Sequence, residues 1–245
     1  MKTHINQLRD LYQGPISELV QLEKTWDLKI IRHEDNMSYL LANRHTLEAI
    51  IVDPSQEDLS SWISLLSECQ EYRFLFVIDT HTHADHISAA AYFADHLGVP
   101  LLMHQLAPSK RVDLRVTRDL VYSSAAGGVS LIHAPGHTED GLVVFWGPFI
   151  FTGDTVLYGD VGRDDLPGGD PRSHYVSVQR VKAKASDSSV FLPGHDGQGR
   201  VSSWRTQLEV NSALIQDQEA FVREAGGWTG PPPKKLKESL FANFQ

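Results

Sequence analysis

Between residues 74 and 86 an apolar run ends in a cluster of histidines. Phe74 to Ile78 reads FLFVI, a continuous apolar stretch expected of a strand buried on both faces. It leads through Asp79-Thr80 into His81-Thr82-His83-Ala84-Asp85-His86. With 12 histidines in the chain, chance would produce H-x-H-x-D-H on the order of 0.002 times, too seldom for a plain polar turn. Side chains two apart on extended backbone point the same way, so His81 and His83 can converge on one point. Imidazole is the commonest metal ligand. Ile87 to Leu97 is Ala-rich and predicts a helix, stopped by Gly98-Val99-Pro100. Asp85 and His86 then lie at the turn into that helix, whose positive N-terminal end favours Asp85 as a carboxylate.

Three later turns repeat the pattern of a polar residue just past an apolar run. They are Ala134-Pro135-Gly136-His137-Thr138, Thr152-Gly153-Asp154 and Leu192-Pro193-Gly194-His195-Asp196. Glycine lets such loops turn tightly, so that a side chain projects from them. Together they put His or Asp at successive strand ends, where open α/β architectures build their sites.

The rest of the chain supplies a frame for these loops. Leu28–Arg32, Met37–Ala42 and Ala49–Val52 read as antiparallel strands, and Asp53-Pro54-Ser55 stops the third. Gln56 to Gln70 carries a helical stripe at Leu59, Trp62, Ile63, Leu65 and Leu66. Leu101–His104 and Val129–His133 read as strands, and residues 106–127 as irregular. Gly141–Trp146 and Phe149–Thr152 form a hairpin across Gly147-Pro148. Asp170-Pro171 is an N-cap and first-turn proline opening a helix to about Ala185. Val190–Leu192 is a further strand, and Trp204 to Glu224 is mostly helical, ended by Gly226-Gly227. Pro231-Pro232-Pro233 begins an extended tail. Strands interleave with helices throughout, which predicts one α/β domain over residues 1–245 with a mixed sheet system.

Composition narrows the function. Net charge is −9, which disfavours a nucleic-acid-binding surface. No run approaches the ~18 apolar residues of a membrane span, and MKTHINQLRD lacks the apolar core of a secretory signal. The single Cys69 excludes an internal disulfide or a Cys-rich zinc site and fits a reducing, cytoplasmic setting.

In their order and spacing THTHADH, APGHT, FTGDT and LPGHD resemble the metallo-β-lactamase superfamily. The resemblance implies an αββα sandwich, two mixed β-sheets flanked by helices, with a core at about 28–200 and a C-terminal helical segment and tail at 201–245. It implies metal at one edge between the sheets. Seven positions match the ligand set: His81, His83, Asp85, His86, His137, Asp154 and His195. Gly162-Arg163-x-Asp165, followed by a hydrophobic residue and Gly-Gly, resembles the persulfide dioxygenase branch. The segments Asn211–Leu214, Glu219–Val222 and Ala242-Asn243 resemble its tail.

That branch implies one Fe(II) per chain on His81, His137 and Asp154, a 2-His-1-carboxylate face with open positions. His83, Asp85, His86 and His195 then orient ligands or waters. The implied reaction takes glutathione persulfide, O2 and water to glutathione and sulfite, with a homodimer possible. Arg163 is a candidate to pair with a substrate carboxylate; its alternative is a structural ion pair with Asp160 or Asp164. The chain departs from the branch at Ser88–Ala91, Glu139-Asp140-Gly141 and Gly197, positions that bear on substrate more than on metal. The competing reading is a dinuclear hydrolase resembling glyoxalase II, with two Zn(II) bridged by Asp154 and a hydroxide attacking a thioester.

Overall fold

The computed structural model describes residues 4–7, 12–13, 22–225 and 230–245. Two seven-stranded mixed sheets face one another. The first is ordered β1 (His4–Gln7), β3 (Trp26–His33), β4 (Asn36–Asn43), β5 (Glu48–Val52), β6 (Arg73–Ile78), β7 (Leu101–His104) and β8 (Leu114–Val116). The second is ordered β2 (Tyr12–Gln13), β14 (Val201–Ser203), β13 (Val190–Pro193), β12 (Phe149–Gly153), β11 (Leu142–Trp146), β10 (Val129–His133) and β9 (Leu120–Tyr122).

Strand alternation explains why both sheets are covered on both faces. Met37, Tyr39 and Leu41 of β4 enter the core between the sheets, while Leu40 and Ala42 face outward into a second core. In β12, Phe149 and Phe151 point inward and Ile150 outward. A strand with apolar residues on both faces reads as a continuous hydrophobic run, which is why FLFVI and its counterparts stand out. The outward face of the first sheet packs on α1 (Leu59–Glu68) and α2 (Ala90–Leu97) through Trp62, Leu65, Phe93 and Ala94. That of the second packs on α3 (Pro171–Lys184), α4 (Trp204–Val210) and α5 (Gln218–Ala225) through Val178, Val181, Trp204 and Phe221. The result is the expected αββα order of layers. The inner core is pinned by Trp26, whose ring stands edge-on to Trp146 at 5.0 Å and to Phe149 at 5.6 Å.

Several local expectations hold. Asp170 caps α3, its side chain accepting from the Arg172 N–H, with proline in the first turn. Others are corrected. The helix expected from Ile87 begins only at Ala90, so Asp85 lies outside its first turn and gains nothing from its dipole. Residues 106–127 contain two short strands, β8 and β9, at the sheet edges. Trp204–Glu224 is broken into α4, a 3-10 turn at Ser212–Leu214 and α5, because Asn211 leaves the helix to cap the turn. Gly226-Gly227 lie outside the described residues. The tail after Pro233 is not extended: it forms α6 (Leu236–Asn243). Among the described residues no helix is long and apolar enough to cross a membrane.

Candidate metal centre

All four histidine- and aspartate-bearing loops emerge at one edge, where the two sheets meet. The loop after β6 comes from the first sheet; those after β10, β12 and β13 come from the second. The PGHD turn is tied across to the first sheet. Met37 N–H donates to the Gly194 carbonyl at 2.9 Å, and the Tyr39 hydroxyl donates to the Pro193 carbonyl at 2.5 Å.

His81, His137 and Asp154 each bring one donor atom to within 4.8 Å of the others. His137 Nε2 lies 3.4 Å from Asp154 Oδ2, and the rings of His81 and His137 stand edge-on with centroids 4.9 Å apart. The orientation of both rings follows from their other nitrogen. The Thr80 hydroxyl donates to Asp53 Oδ2 at 2.9 Å, so its oxygen accepts from His81 Nδ1 at 3.0 Å. His137 Nδ1 donates to the Arg163 main-chain carbonyl. Each ring therefore keeps its Nε2 lone pair for the centre, the arrangement typical of metal-ligating histidine. Burial, reinforced by the positive charge of His83, pushes His81 down to about 3, and burial also lowers His137. Both are neutral at pH 7, the form that ligates. Asp154 is held well below the usual carboxylate range; burial opposes ionisation, but His195 and His137 outweigh it.

The remaining four residues surround this trio. His83 Nε2 is 3.2 Å from Asp53 and 3.8 Å from Asp79. Burial disfavours its charge, yet the hydrogen bond and charge of Asp53, with Asp79, raise it to about 9. His86 Nδ1 contacts Asp85 at 2.9 Å. His195 Nε2 lies 3.2 Å from Asp154 and 3.9 Å from Asp85, and despite burial these carboxylates lift it to about 10. Burial also opposes ionisation of Asp85, but His86, His195 and His83 keep it far below the usual range, which replaces the expected helix dipole. His83, Asp85 and His86 form a second trio with donor atoms within 4.8 Å.

The residues fit a bound cation. Asp154 Oδ1, His83 Nδ1 and His86 Nε2 are buried and have no hydrogen-bond partner among the described residues. Unsatisfied buried polar atoms cost roughly 1–3 kcal/mol each, and a metal in their midst removes that cost. Close packing fixes the loops. A Cβ at Gly162 would lie 2.2 Å from the Asp154 carbonyl and 3.0 Å from His137 Nδ1. A Cβ at Gly136, whose φ is +149°, would lie 2.2 Å from the His174 backbone.

A cavity of about 450 Å³ opens onto the centre, walled by His137, Asp154, His195, Arg163, Ala213 and Phe221 among others. The Arg163 guanidinium is gripped by Asp165, with both contacts at 2.7 Å, and donates to the Pro231 carbonyl at 2.6 Å. Neither expected partner, Asp160 nor Asp164, takes this bidentate role. Asn211 holds the 157–160 wall by donating to the Leu157 and Asp160 carbonyls at 3.2 and 2.7 Å.

Three supporting residues escaped the sequence reading. Asp53, which the sequence marks only as a strand stop, accepts from Thr80 N–H at 2.7 Å as well as from Thr80 Oγ1 and His83. Asp140 accepts from Thr82 N–H and hydroxyl at 2.9 and 2.5 Å. Asn243 reaches the histidine loop from α6. Only the departure at Glu139-Asp140-Gly141 and the tail resemblance at Ala242-Asn243 hinted at the last two.

An αββα sandwich with clustered His and Asp at the sheet edge defines a metal-dependent class. The sequence profile described as Metallo-beta-lactamase superfamily matches residues 34–195, and the chain belongs to that superfamily. Within it the chain is homologous to persulfide dioxygenases. Persulfide dioxygenase ETHE1, mitochondrial, of Homo sapiens is 28% identical over 213 residues, covering 85% of this chain and 83% of the relative. The crystal structure of ETHE1 from Myxococcus xanthus matches with a TM-score of 0.81 at 25% identity, covering 89% of this chain and 97% of that one. A metallo-beta-lactamase from Staphylococcus aureus subsp. aureus COL shares the fold, with a TM-score of 0.79 at 22% identity over 89% of this chain and 72% of its own.

Proposed function

We propose that this chain is a persulfide dioxygenase that holds one Fe(II) on His81, His137 and Asp154. The overall reaction is R–S–SH + O2 + H2O → R–SH + SO3²⁻ + 2 H⁺, with glutathione persulfide as the substrate implied by the resemblance. The observation that carries the reading is the His81–His137–Asp154 trio, opening onto a ligand-sized cavity in a chain homologous to persulfide dioxygenases along most of its length. Two neutral imidazoles and one carboxylate are the donor set of non-haem Fe(II) oxygenases.

When bound, ferrous iron supplies the one-electron chemistry that lets O2 react with a sulfur anion. The protein's own part is orientation and charge. Thr80 and the Arg163 carbonyl fix which nitrogen each histidine presents. Asp154 contributes a carboxylate that stays ionised. His195, at the cavity wall, sets its Nε2 3.2 Å from Asp154 Oδ2 and so orients that carboxylate. The apolar surfaces of Leu157, Val161 and Phe221 limit water around the reacting sulfur. Arg163, held by Asp165 and Pro231, places a positive charge on the cavity wall that would favour an anionic outer portion of the substrate.

A second reading is favoured by one observation, the unpartnered His83 Nδ1 and His86 Nε2 in the second trio. These residues, with Asp85 and His195, would hold a second metal beside the His81–His137–Asp154 trio and so supply the hydroxide of a dinuclear Zn(II) hydrolase.

The deciding experiment is oxygen uptake by the iron-loaded protein on addition of glutathione persulfide, with sulfite and bound metal measured in the same sample. One iron per chain and one sulfite per O2 support the dioxygenase. Two metals per chain, no uptake and turnover of a thioester overturn it for the hydrolase.

A further inference from the structure

The loop that carries His83, Asp85 and His86 lies outside both helix and strand, so its main-chain groups lack ladder partners. At its far end the loop is tied to the 54–56 segment, Gln56 N–H donating to the Ile87 carbonyl at 2.9 Å and Ala89 N–H to the Pro54 carbonyl at 2.7 Å; between these ties, three of its groups meet one side chain. Asn243, in α6, donates through Nδ2 to the carbonyls of His83 and His86 at 2.9 and 3.0 Å. Its Oδ1 accepts from the Ser88 N–H at 2.9 Å. An amide has two N–H donors and one acceptor oxygen, and all three functions are used here. The loop and the amide are separated by 155 to 160 positions in the chain, so the contact depends entirely on where α6 sits.

That position is itself fixed. Lys235, just before α6, forms an ion pair with Glu57 at 2.5 Å, and Ser239 in mid-helix is fully buried. A second cavity of about 360 Å³ lies behind the loop, walled by Asp79, His83 and Ser88 on one side and by Asn243 and Gln245 on the other. Without the amide the His83 and His86 carbonyls lose their donor, and the stretch between the Thr82–Asp140 and Ile87–Gln56 bonds has the cavity beside it to relax into.

We propose that Asn243 is a positioning residue of the metal centre: by clamping the backbone from His83 to Ser88 it sets the directions of His83, Asp85 and His86, so that α6 is part of the site. This rests on the reading of the loop as a metal centre and not on the choice of substrate. His81, a ligand in the mononuclear reading, opens the same loop, and outer groups that orient metal ligands typically account for about 10- to 100-fold in metal affinity. Asn243→Asp is the sharper variant, because it keeps an acceptor for Ser88 but has no donor for the two carbonyls and sets a charge against them. Asn243→Ala removes all three bonds.

The test uses the full chain and Co(II) alone as probe, reading affinity by chelator competition and ligand geometry by the visible absorption of the bound ion. Thermal unfolding of the metal-free forms is measured alongside. The expected result is a Kd raised about 10-fold or more in both variants, with an altered Co(II) spectrum. A lowered unfolding midpoint with wild-type Kd and spectrum would show a merely structural role and overturn the proposal. If the wild-type chain itself binds no Co(II), the metal-centre reading falls and takes this one with it. If Asn243→Ala does not fold, Asn243→Asp alone decides.

Discussion

His137 Nδ1 donates to the main-chain carbonyl of Arg163, 26 residues along the chain. The link binds the APGHT loop to the Gly162-Arg163 loop without using the arginine side chain, which is engaged by Asp165. Arg163→Ala therefore leaves metal content unchanged. It removes a guanidinium from the cavity wall, and KM for glutathione persulfide rises roughly 10-fold, the scale of a lost charge-assisted hydrogen bond. Steady-state kinetics with a small uncharged persulfide is the control. An equal rise there removes Arg163 from recognition of the substrate's carboxylates.

Thr80 relays Asp53 to His81 through its hydroxyl. Thr80→Val keeps the shape and the main-chain bond to Asp53 but frees His81 Nδ1. Metal affinity falls about 10- to 100-fold, as expected for an orienting partner. Titration of the metal-free protein with Fe(II) under anaerobic conditions checks this; an unchanged Kd removes Thr80 from the site.

The trio and the flanking histidine separate on metal content. His81→Ala and Asp154→Ala abolish iron binding and sulfite production. His195→Ala keeps one iron per chain, because His195 contacts Asp154 from outside the trio. Metal analysis of purified protein decides: loss of a second stoichiometric metal in His195→Ala selects the dinuclear reading.

Gly162→Ala forces a Cβ to 2.2 Å from the Asp154 carbonyl and 2.9 Å from its Cβ. The neighbours are backbone and a metal-facing side chain, so nothing flexible can yield. Stability drops by about 1–3 kcal/mol, the scale of overpacking, and metal content falls with it. Denaturant unfolding with and without metal measures both.

Cys69 is buried, and burial with the nearby charge of Asp27 pushes its thiol up to about 11 from an ordinary 9.0. At pH 8 the thiolate population is then lower by about 100-fold than in the unfolded chain, and the thiolate is the reactive form. A chromogenic disulfide reagent labels the native protein far more slowly than protein in guanidinium. Equal rates would contradict the burial.

The strands and the ligand-bearing turns were legible because both depend on short-range pattern. A strand covered on both faces writes itself as an apolar run, as at FLFVI, and a turn that must project a ligand shows its glycine and histidine side by side. Hairpins and caps such as Gly147-Pro148 and Asp170-Pro171 are equally local. The helix expected at Ile87 was misplaced by three residues because Ala-rich composition does not mark a start, and Ala89 offers no side-chain cap. The extended reading after Pro233 missed α6, whose short amphipathic signal is weak and whose stability comes from packing rather than propensity.

What the chain's sequence determined by itself is the donor inventory: which histidines and aspartates end the strands, and in what order. The partners of those groups were decided by tertiary structure alone. Asp53 meets Thr80 and His83, Asp165 rather than Asp160 or Asp164 takes Arg163, and Asn243 returns across more than 150 residues to hold the histidine loop. Spacing along a chain encodes which side chains share a face of one strand or helix. It does not encode which distant segments the packing of two sheets brings to the same edge, and there the protonation, tautomer and orientation of each metal-facing residue are set.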